Sequence, residues 1–317
     1  MAYFINRISD LNFGVRCIDN VETICMDEPD YKAIITNANM RRRMSRIIKM
    51  SVSSALDCIK DVDSTQIEAI ITATGLGCLH DTEKFMDNLM KYDEGALNPT
   101  TFIQSTFNTV SAQIALLLGL KVYNMTYVHG GLSFETALTD ALLCLDEGKK
   151  QVLLGAFDEL TETGFILQNK LGLFRNGIKA GEGAQFFLLS NERTEQTQAE
   201  IISAETFTND FISSDINLRI KSFLSKNKLM ENDVSLFISG KNGNVSKDIK
   251  YKKVEDQLFS KAHCVGFKQD CGEYPTAMAY GLNFAVQKLI TQGGEYALLF
   301  NHHGVNENSL ILIKKML

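Results

Sequence analysis

Residues that could act as nucleophiles or bases lie beside a pair of glycines in the middle of the chain. Ser133 follows Gly131 by two positions in GLSFE, and His129 comes directly before the glycines. A serine or histidine at a strand-to-helix turn could attack an acyl carbon. The second glycine of a G-x-S-x-G elbow is missing, however, and a helix dipole disfavours a cationic His129. The pattern therefore favours a helix-start packing or capping role for Ser133 and a neutral, hydrogen-bonding His129.

A second group of candidates lies near the end of the chain. His302 and His303 follow an apolar run, and Cys271 precedes a glycine. Either histidine could face a pocket, whereas a free cysteine is more often a small buried residue. The seven cysteines form no C-x-x-C pair, and no His or Cys has zinc-ligand spacing. No dinucleotide or P-loop glycine pattern is present either, so we expect no cofactor and no metal.

The elements that would position these residues alternate between helix and strand. Spacings of three and four predict helices, and short apolar or β-branched runs predict strands. The predicted helices are 40–61, 82–90, 98–120, 132–148, 215–229 and 276–294. The predicted strands are 66–75, 121–128, 151–159, 183–190, 201–207, 234–240, 295–304 and 307–315. Residues 241–275 show no clear pattern.

The order of these elements repeats along the chain. A polar segment at 191–199 separates two series in which an amphipathic helix precedes a buried strand and a small-residue helix precedes another. We therefore predict an α/β protein with two duplicated halves, residues 1–192 and 193–317. Two such halves would pack as a five-layer αβαβα structure, with helices 98–119, 132–147 and 276–291 between the sheets.

Composition and charge exclude several classes of protein. A hydrophobic content of 45% and only 3 prolines argue against intrinsic disorder. The formal net charge of −6 is the wrong sign for nucleic-acid binding. No apolar run reaches membrane-spanning length, and the first residues contain no signal-peptide core. We expect a cytoplasmic protein with reduced thiols.

Segments distributed along nearly the whole chain resemble a known family in the correct order. They are MRRRMSR (40–46), NPTTFIQSTFNT (98–109), YVHGGLSFETALTDAL (127–142), GEGAQFFLLS (181–190) and NENSLIL (306–312). The chain resembles β-ketoacyl-acyl-carrier-protein synthases of the thiolase superfamily, most closely the chain-length-factor-like subgroup found with aryl-polyene and flexirubin-type pigment synthesis. This resemblance implies the thiolase-like fold and a role in fatty acid, polyene or polyketide synthesis.

The resemblance also implies where catalytic groups should lie. Active members carry a cysteine at the elbow before the SFETAL helix and two histidines. Here Val128 or His129 stands at the cysteine position, the first histidine falls near Gly240, and the second falls near Glu273. An ionised Glu273 would repel a developing enolate, and pairing with a lysine or a backbone donor is its structural alternative.

The expected function is that of a non-catalytic, chain-length-factor-like partner of an active ketosynthase. Two alternatives stay open: an acyltransferase with a relocated nucleophile, and a module that binds an acyl or polyene chain. Expected partners are an active ketosynthase subunit in a heterodimer, or a second copy, through helix 98–120. Phe102, Phe107 and Phe134 could line a tunnel. An acidic acyl carrier protein would dock on a basic patch. That patch comprises Arg41, Arg42, Arg43 and Arg46.

Overall fold

The computed structural model describes residues 1–92, 99–208, 216–304 and 306–316. Its strands are β1 (Tyr3–Ile8), β2 (Phe13–Ile18), β3 (Val21–Met26), β4 (Ala69–Ala73), β5 (Tyr123–Tyr127), β6 (Gln151–Asp158), β7 (Gly183–Ser190), β8 (Ala199–Thr208), β9 (Val234–Ser239), β10 (His263–Gly266), β11 (Tyr296–His303) and β12 (Glu307–Lys315). Its helices are α1 (Tyr31–Ile34), α2 (Ala38–Arg43), α3 (Arg46–Cys58), α4 (Leu79–Tyr92), α5 (Pro99–Gln104), α6 (Thr109–Leu118), α7 (Ser133–Asp146), α8 (Glu162–Lys170), α9 (Ile216–Lys226), α10 (Val245–Leu258), α11 (Lys268–Cys271) and α12 (Ala277–Gln292).

The main sheet contains the same strand order twice. Its ten strands run β10-β9-β11-β12-β8-β1-β7-β6-β4-β5, while β2 and β3 form a separate hairpin. If each set of five is numbered along the chain, both sets read 3-2-4-5-1 from the outer edge to the centre. The first strands of the two sets, β1 and β8, pair antiparallel and join them. The predicted division at residue 192 falls between β7 and β8.

Helices α7 and α12 form the central layer. Small buried residues such as Ala137, Ala141 and Ala285 belong to one core cluster that also contains strand residues from both sets. A second cluster packs α3 and α6 on the other face of β4, β6 and β7. A third packs α9 and α10 on β9, β11 and β12. The layers therefore follow the order α-β-α-β-α, as the sequence predicts.

The predicted single helix at 98–120 is wrong, because the described part of it is split into α5 and α6. The Ser105 hydroxyl donates to the carbonyl of Phe102 and the Thr106 hydroxyl to that of Ile103. Such local bonds compete with helical backbone pairing. This segment is also less buried than expected, since Phe102 is 56% and Phe107 47% exposed. Residue 98 lies outside the described residues.

Two other segments differ from the predictions. Helix 40–61 is interrupted at Met44, where the backbone is extended between α2 and α3. The segment without a clear pattern contains α10 and β10. Val245 and Ile249 of α10 are exposed whereas Tyr251 and Val254 are buried. An amphipathic helix is predicted from apolar residues that all lie on one face. In α10 they lie on two opposite faces, so the sequence lacks that pattern. Among the described residues, every helix is too short or too polar to cross a bilayer.

Candidate functional site

The candidate site lies where the parallel strands of both sets end. Strands β4 and β6 run parallel in one set, and β9 and β11 run parallel in the other. Their carboxyl ends lead into loops that approach one another around Gly75, Pro275 and Gly131. A side chain at Gly75 would overlap the Pro275 ring, and one at Gly131 would overlap the His303 ring. In α/β sheets, this edge is where ligands bind.

A cavity of about 320 Å³ occupies this edge. Four residues that the sequence pointed to, Gly240, Glu273, His302 and His303, lie in its wall. The cavity lining combines apolar and polar residues. Its other lining residues are Leu76, Gln168, Leu173, Phe174, Ile178, Asn242, Lys247, Asp248, Tyr251, Tyr274, Pro275 and Gly304.

Glu273 is held in the cavity wall by two donors. Lys268 Nζ lies 2.8 Å from Oε1, and Asn242 Nδ2 donates to Oε2 over 2.8 Å. Burial alone would raise the pKa of Glu273, but Lys268 and the two hydrogen bonds lower it below its ordinary value. Lys268 is only 3% exposed. The wall therefore contains a Lys–Glu pair in which the lysine is buried and the half-buried carboxylate is favoured in its ionised form.

The two histidines of the wall are neutral at neutral pH. His302 Nδ1 donates to Asn308 Oδ1 over 2.9 Å, and its Nε2 lies 3.3 Å from Lys250 Nζ. Burial lowers the pKa of His302, and Lys250 lowers it further. Burial and then Lys268 lower the pKa of His303, against a smaller opposing effect of Glu273. Both rings can therefore accept or donate a hydrogen bond without carrying charge.

The elbow before α7 contains no free hydroxyl or thiol nucleophile among the described residues. Ser133 is fully buried, and its Oγ accepts a bond from the backbone N–H of His129 over 2.8 Å. Its proton is shared between the carbonyls of Thr74 and Gly130, at 2.9 and 2.8 Å. His129 is exposed, with Nδ1 3.4 Å from Thr136 Oγ1, and Val128 is 42% exposed. Ser133 thus fixes the turn.

Asp158 joins the two sets of strands beneath the cavity. Its Oδ1 accepts from the Thr74 hydroxyl and the backbone N–H groups of Gly75 and Leu76, over 2.9–3.0 Å. Its Oδ2 accepts from the backbone and hydroxyl of Thr276, over 3.0 and 2.8 Å. Burial raises the pKa of Asp158, although each of these bonds opposes the rise. Asp158 therefore positions the end of β4 against the start of α12.

Glu135, in the first turn of α7, is a second buried carboxyl group. Ser309 Oγ donates to its Oε1 over 2.6 Å, and Oε2 has no hydrogen-bond partner among the described residues. Burial raises its pKa to about 7, although the bond from Ser309 and the positive charge of Lys268 oppose the rise. A large fraction of Glu135 is therefore protonated at neutral pH.

Other expected pocket residues lie away from the cavity. Phe134 is in the central core, with its ring centroid 5.9 Å from that of Phe187. Cys271 is fully buried, its thiol donates to the carbonyl of Gly272 over 3.3 Å, and burial raises its pKa well above the ordinary value. A protonated, enclosed thiol is a poor nucleophile.

The predicted basic patch is divided between structural and exposed roles. Arg46 makes two bonds of 2.7 and 2.6 Å to the fully buried Glu182, and it also pairs with Glu28 at 2.5 Å. Arg41 donates to the carbonyl of Ile35. Arg42 and Arg43 line a broad, open cavity of about 990 Å³. Acidic residues share its wall: Asp19, Glu28, Asp81, Glu83, Asp87, Glu159 and Glu162.

Sequence reasoning missed the groups that hold the site together. Lys268 is the nearest cation to Glu273 in FKQDCGE, so spacing alone could have identified it. Asp158 and Glu135 gave no comparable signal, because their partners are distant in the chain. Among the described residues, no group of three His, Cys, Asp or Glu side chains could hold a metal ion. The site offers neutral hydrogen bonding and one ion pair.

Comparison with known proteins identifies similar folds. Residues 21–170 match the family model described as Beta-ketoacyl synthase, N-terminal domain. "The ishigamide ketosynthase/chain length factor" matches with a TM-score of 0.80 and 13% identity, covering 100% of both chains. A β-ketoacyl synthase from Burkholderia phymatum STM815 matches with a TM-score of 0.79 and 12% identity, again over 100% of both chains.

A third solved structure is a type II PKS acyl-carrier protein in complex with its ketosynthase bound to the hexaketide. It matches with a TM-score of 0.80 and 12% identity, over 99% of both chains. No curated protein sequence matches the chain. The predicted thiolase-like fold is confirmed by these similarities.

Proposed function

We propose that this chain, which has the fold of solved β-ketoacyl synthases, is a non-catalytic partner of an active ketosynthase. In this role it acts like a chain length factor. It binds beside the ketosynthase and limits the length of the carrier-bound acyl chain that the ketosynthase extends. The proposal is supported by the shared fold together with the expectation that Val128 or His129, Gly240 and Glu273 stand at the cysteine and histidine positions of active relatives.

The observation that carries the proposal is the Lys268–Glu273 pair. Decarboxylation of a malonyl thioester places negative charge on an enolate oxygen, which enzymes stabilise with neutral or positive donors. An ionised Glu273 at this position would repel that charge. Both of its oxygens and the Lys268 ammonium are already engaged. The pair therefore suits a structural role better than carbanion chemistry.

The elbow supports the same conclusion. An acyl group is held covalently only by a nucleophile that is free to attack. Ser133 Oγ is occupied on both its donor and acceptor sides, and Cys271 is enclosed and protonated. Val128 has no nucleophilic atom. These observations count against Ser133 or Cys271 as the relocated nucleophile of the acyltransferase alternative.

The open edge of the sheet offers a surface for the partner subunit. Strand β5 is the last strand of its set, so one side of its backbone has no neighbour among the strands of the described residues. Apolar side chains flank it on β5 itself and on the adjacent helices α6 and α7. Tyr123 is 38%, Met125 40%, Leu116 68% and Leu143 54% exposed. An edge strand beside such side chains is a typical pairing surface.

The test is co-expression with any cysteine-bearing ketosynthase that is encoded beside this chain. We expect the two chains to copurify, and the complex to make a product of defined length that the ketosynthase alone does not make. Purification of a stable monomer that binds no such ketosynthase would contradict the proposal. Formation of a homodimer in place of the mixed complex would contradict it as well.

The apolar residues of the cavity lining favour one second candidate, an acyl- or polyene-binding module. Leu76, Leu173, Phe174 and Ile178 line the cavity together with Glu273, His302 and His303. A chain end with one polar group would contact both kinds of residue. A lipid or polyene that copurifies with the isolated chain, detected by mass spectrometry of an organic extract, would support this function.

A further inference from the structure

The broad, open cavity of about 990 Å³ shares no lining residue with the candidate site. The N-cap of α3 contributes Ser45 to its wall, and the first turn of α4 contributes Asp81. The segment that follows β6 contributes Glu159. The proposed function leaves this second cavity without a role, so its wall was searched for the groups that a ligand would need.

Two carboxyl groups in this wall are buried without a salt-bridge partner among the described residues. Asp81 and Glu159 are each 4% exposed, whereas Arg46 is engaged by two other carboxylates. The backbone N–H of His80 donates to Glu159 Oε1 over 2.9 Å. Burial raises the pKa of Glu159 to about 7 and also raises the pKa of Asp81. A positive group bound beside these carboxyl groups would favour their ionised forms.

Asp81 also carries an oxygen atom that the fold does not satisfy. Its Oδ2 and the Oγ of the neighbouring Ser45 are buried, and neither atom has a hydrogen-bond partner among the described residues. Burial raises the pKa of Asp81, and Ser45 lies close enough to oppose that rise. A buried acceptor without a donor is costly, so a bound molecule commonly completes such a group. The group missing at Asp81 is a hydrogen-bond donor, and the neighbouring carboxyl groups favour a cationic one.

The start of α3 lies next to this acceptor and attracts the opposite charge. Ser45 is the N-cap residue of this 13-residue helix, but its side chain makes no cap bond. The first backbone N–H groups of a helix have no partner within the helix, and they carry partial positive charge. Arg43 and Lys49, on either side of Ser45 in the chain, line the same cavity. This end of the wall therefore favours a carboxylate.

Ser45 brings the two features together. Its backbone begins α3 and its hydroxyl neighbours Asp81, so the preferences for an ammonium group and for a carboxylate lie side by side. An α-amino acid carries both groups on a single carbon atom. We propose that this cavity binds a free α-amino acid, with the ammonium group at Asp81 and the carboxylate at the start of α3. The inference goes beyond the proposed function and does not depend on it.

Ligands with a single charge fit this wall less well. A sulfate or phosphate ion at the start of α3 would lie beside the Asp81 carboxylate, which repels it. A simple amine would leave the start of α3 without an anion. For a metal ion, the described part of the chain offers no group of three His, Cys, Asp or Glu side chains. The remaining wall includes charged residues such as Arg42, Lys84 and Asp87, which suit a polar amino-acid side chain.

The experiment screens the full chain against the standard L-amino acids, one at a time, by thermal shift. Isothermal titration calorimetry then gives Kd for each one that raises the melting temperature. We expect at least one to bind, and Asp81→Asn to raise its Kd at least about tenfold, because the charged acceptor is lost. Asp87→Asn, at an exposed carboxylate of the same cavity, is the matched control and should change Kd by no more than about twofold.

A second variant keeps the test decisive if Asp81→Asn folds poorly. Ser45→Ala removes a hydroxyl that has no hydrogen-bond partner among the described residues, so α3 should stay intact. Its Kd should rise at least about threefold, because the hydroxyl no longer contacts the ligand. Circular dichroism checks that each variant keeps the helical content of the parent chain.

Three results would overturn the proposal. The first is that no amino acid binds the parent chain, and the second is an unchanged Kd in the folded Asp81 and Ser45 variants. The third is that methylamine or acetate, which carries the ammonium or the carboxylate group alone, binds as tightly as the amino acid. None of these measurements involves a ketosynthase, so this proposal and the proposed function can fail separately.

Discussion

The ion pair between Lys268 and Glu273 determines what the cavity wall can do. We predict that Glu273→Gln lowers the free energy of unfolding by roughly 3–5 kcal/mol, because it leaves a buried lysine without its counter-charge. The double variant Lys268→Met with Glu273→Leu should recover most of that loss, since it removes both charges together. Urea denaturation of the single and double variants measures both effects. A single variant as stable as the parent would contradict this role of the pair.

Glu135 makes a separate, pH-dependent contribution to stability. Its folded-state pKa of about 7 lies above the ordinary 4.5, so between these values the folded protein binds more protons than the unfolded chain. The contribution of Glu135 to the free energy of unfolding is therefore complete below about pH 4.5, and it is lost as the pH rises through 7. We predict that Glu135→Gln is more stable than the parent at pH 8, by up to about 3 kcal/mol.

The measurement for Glu135→Gln is the difference in melting temperature between variant and parent from pH 4.5 to 8. This difference should grow with pH, which separates Glu135 from other titrating groups such as His302 and His303. Glu68→Gln, at an exposed carboxyl group, is the control. A difference that stays constant across this range would show that Glu135 is ionised in the folded protein throughout.

At the scale of the elements, Asp158 links the end of β4 to the start of α12. Its two oxygens accept five hydrogen bonds, and an asparagine amide nitrogen cannot accept any. We predict that Asp158→Asn lowers the free energy of unfolding by about 2–4 kcal/mol, measured by urea denaturation. Asp146→Asn, at a carboxylate that accepts an exposed bond from Tyr3, should change it far less. Equal effects would contradict the linking role.

The edge strand β5 carries a prediction about assembly. Met125→Glu places a charge on the exposed face of that edge and should weaken ketosynthase binding by at least about tenfold. Leu218→Glu, on α9 and 64% exposed, is the matched control and should leave binding unchanged. Copurification yield and analytical gel filtration report the outcome. If the α9 variant alone loses the partner, the partner surface lies elsewhere.

Elements with one clear hydrophobic pattern were predictable, and elements with two competing signals were not. Strand 183–190 was predicted with the bounds that the structure gives, because β7 is buried along its whole length. The break between α5 and α6 was missed, since it depends on hydroxyl groups that bond to the preceding turn. Helix α10 was missed because its apolar residues lie on two faces, with Val245 and Ile249 exposed and Tyr251 and Val254 buried. Local sequence cannot distinguish an apolar residue that packs inward from one that stays exposed.

For the molecule as a whole, the repeated strand order explains why the site was partly predictable. The duplication places the ends of β4 and β6 opposite the ends of β9 and β11, so residues far apart in the sequence share one cavity. Family resemblance indicated Gly240 and Glu273, and the apolar run before His302 and His303 indicated the end of a strand. Neither signal could give the partner of Glu273, because that depends on the position of α11. The proposed function requires of this fold a scaffold for assembly with a partner subunit.

The most direct test of this account is the intact mass of the chain after incubation with malonyl- and acyl-loaded carrier protein. A cysteine-bearing ketosynthase, treated in the same way, is the positive control. We predict that the control gains the mass of the acyl group while this chain keeps its own mass. A covalent acyl adduct on this chain, mapped to a residue such as Ser133, His129 or Cys271, would contradict the account and establish an acyltransferase.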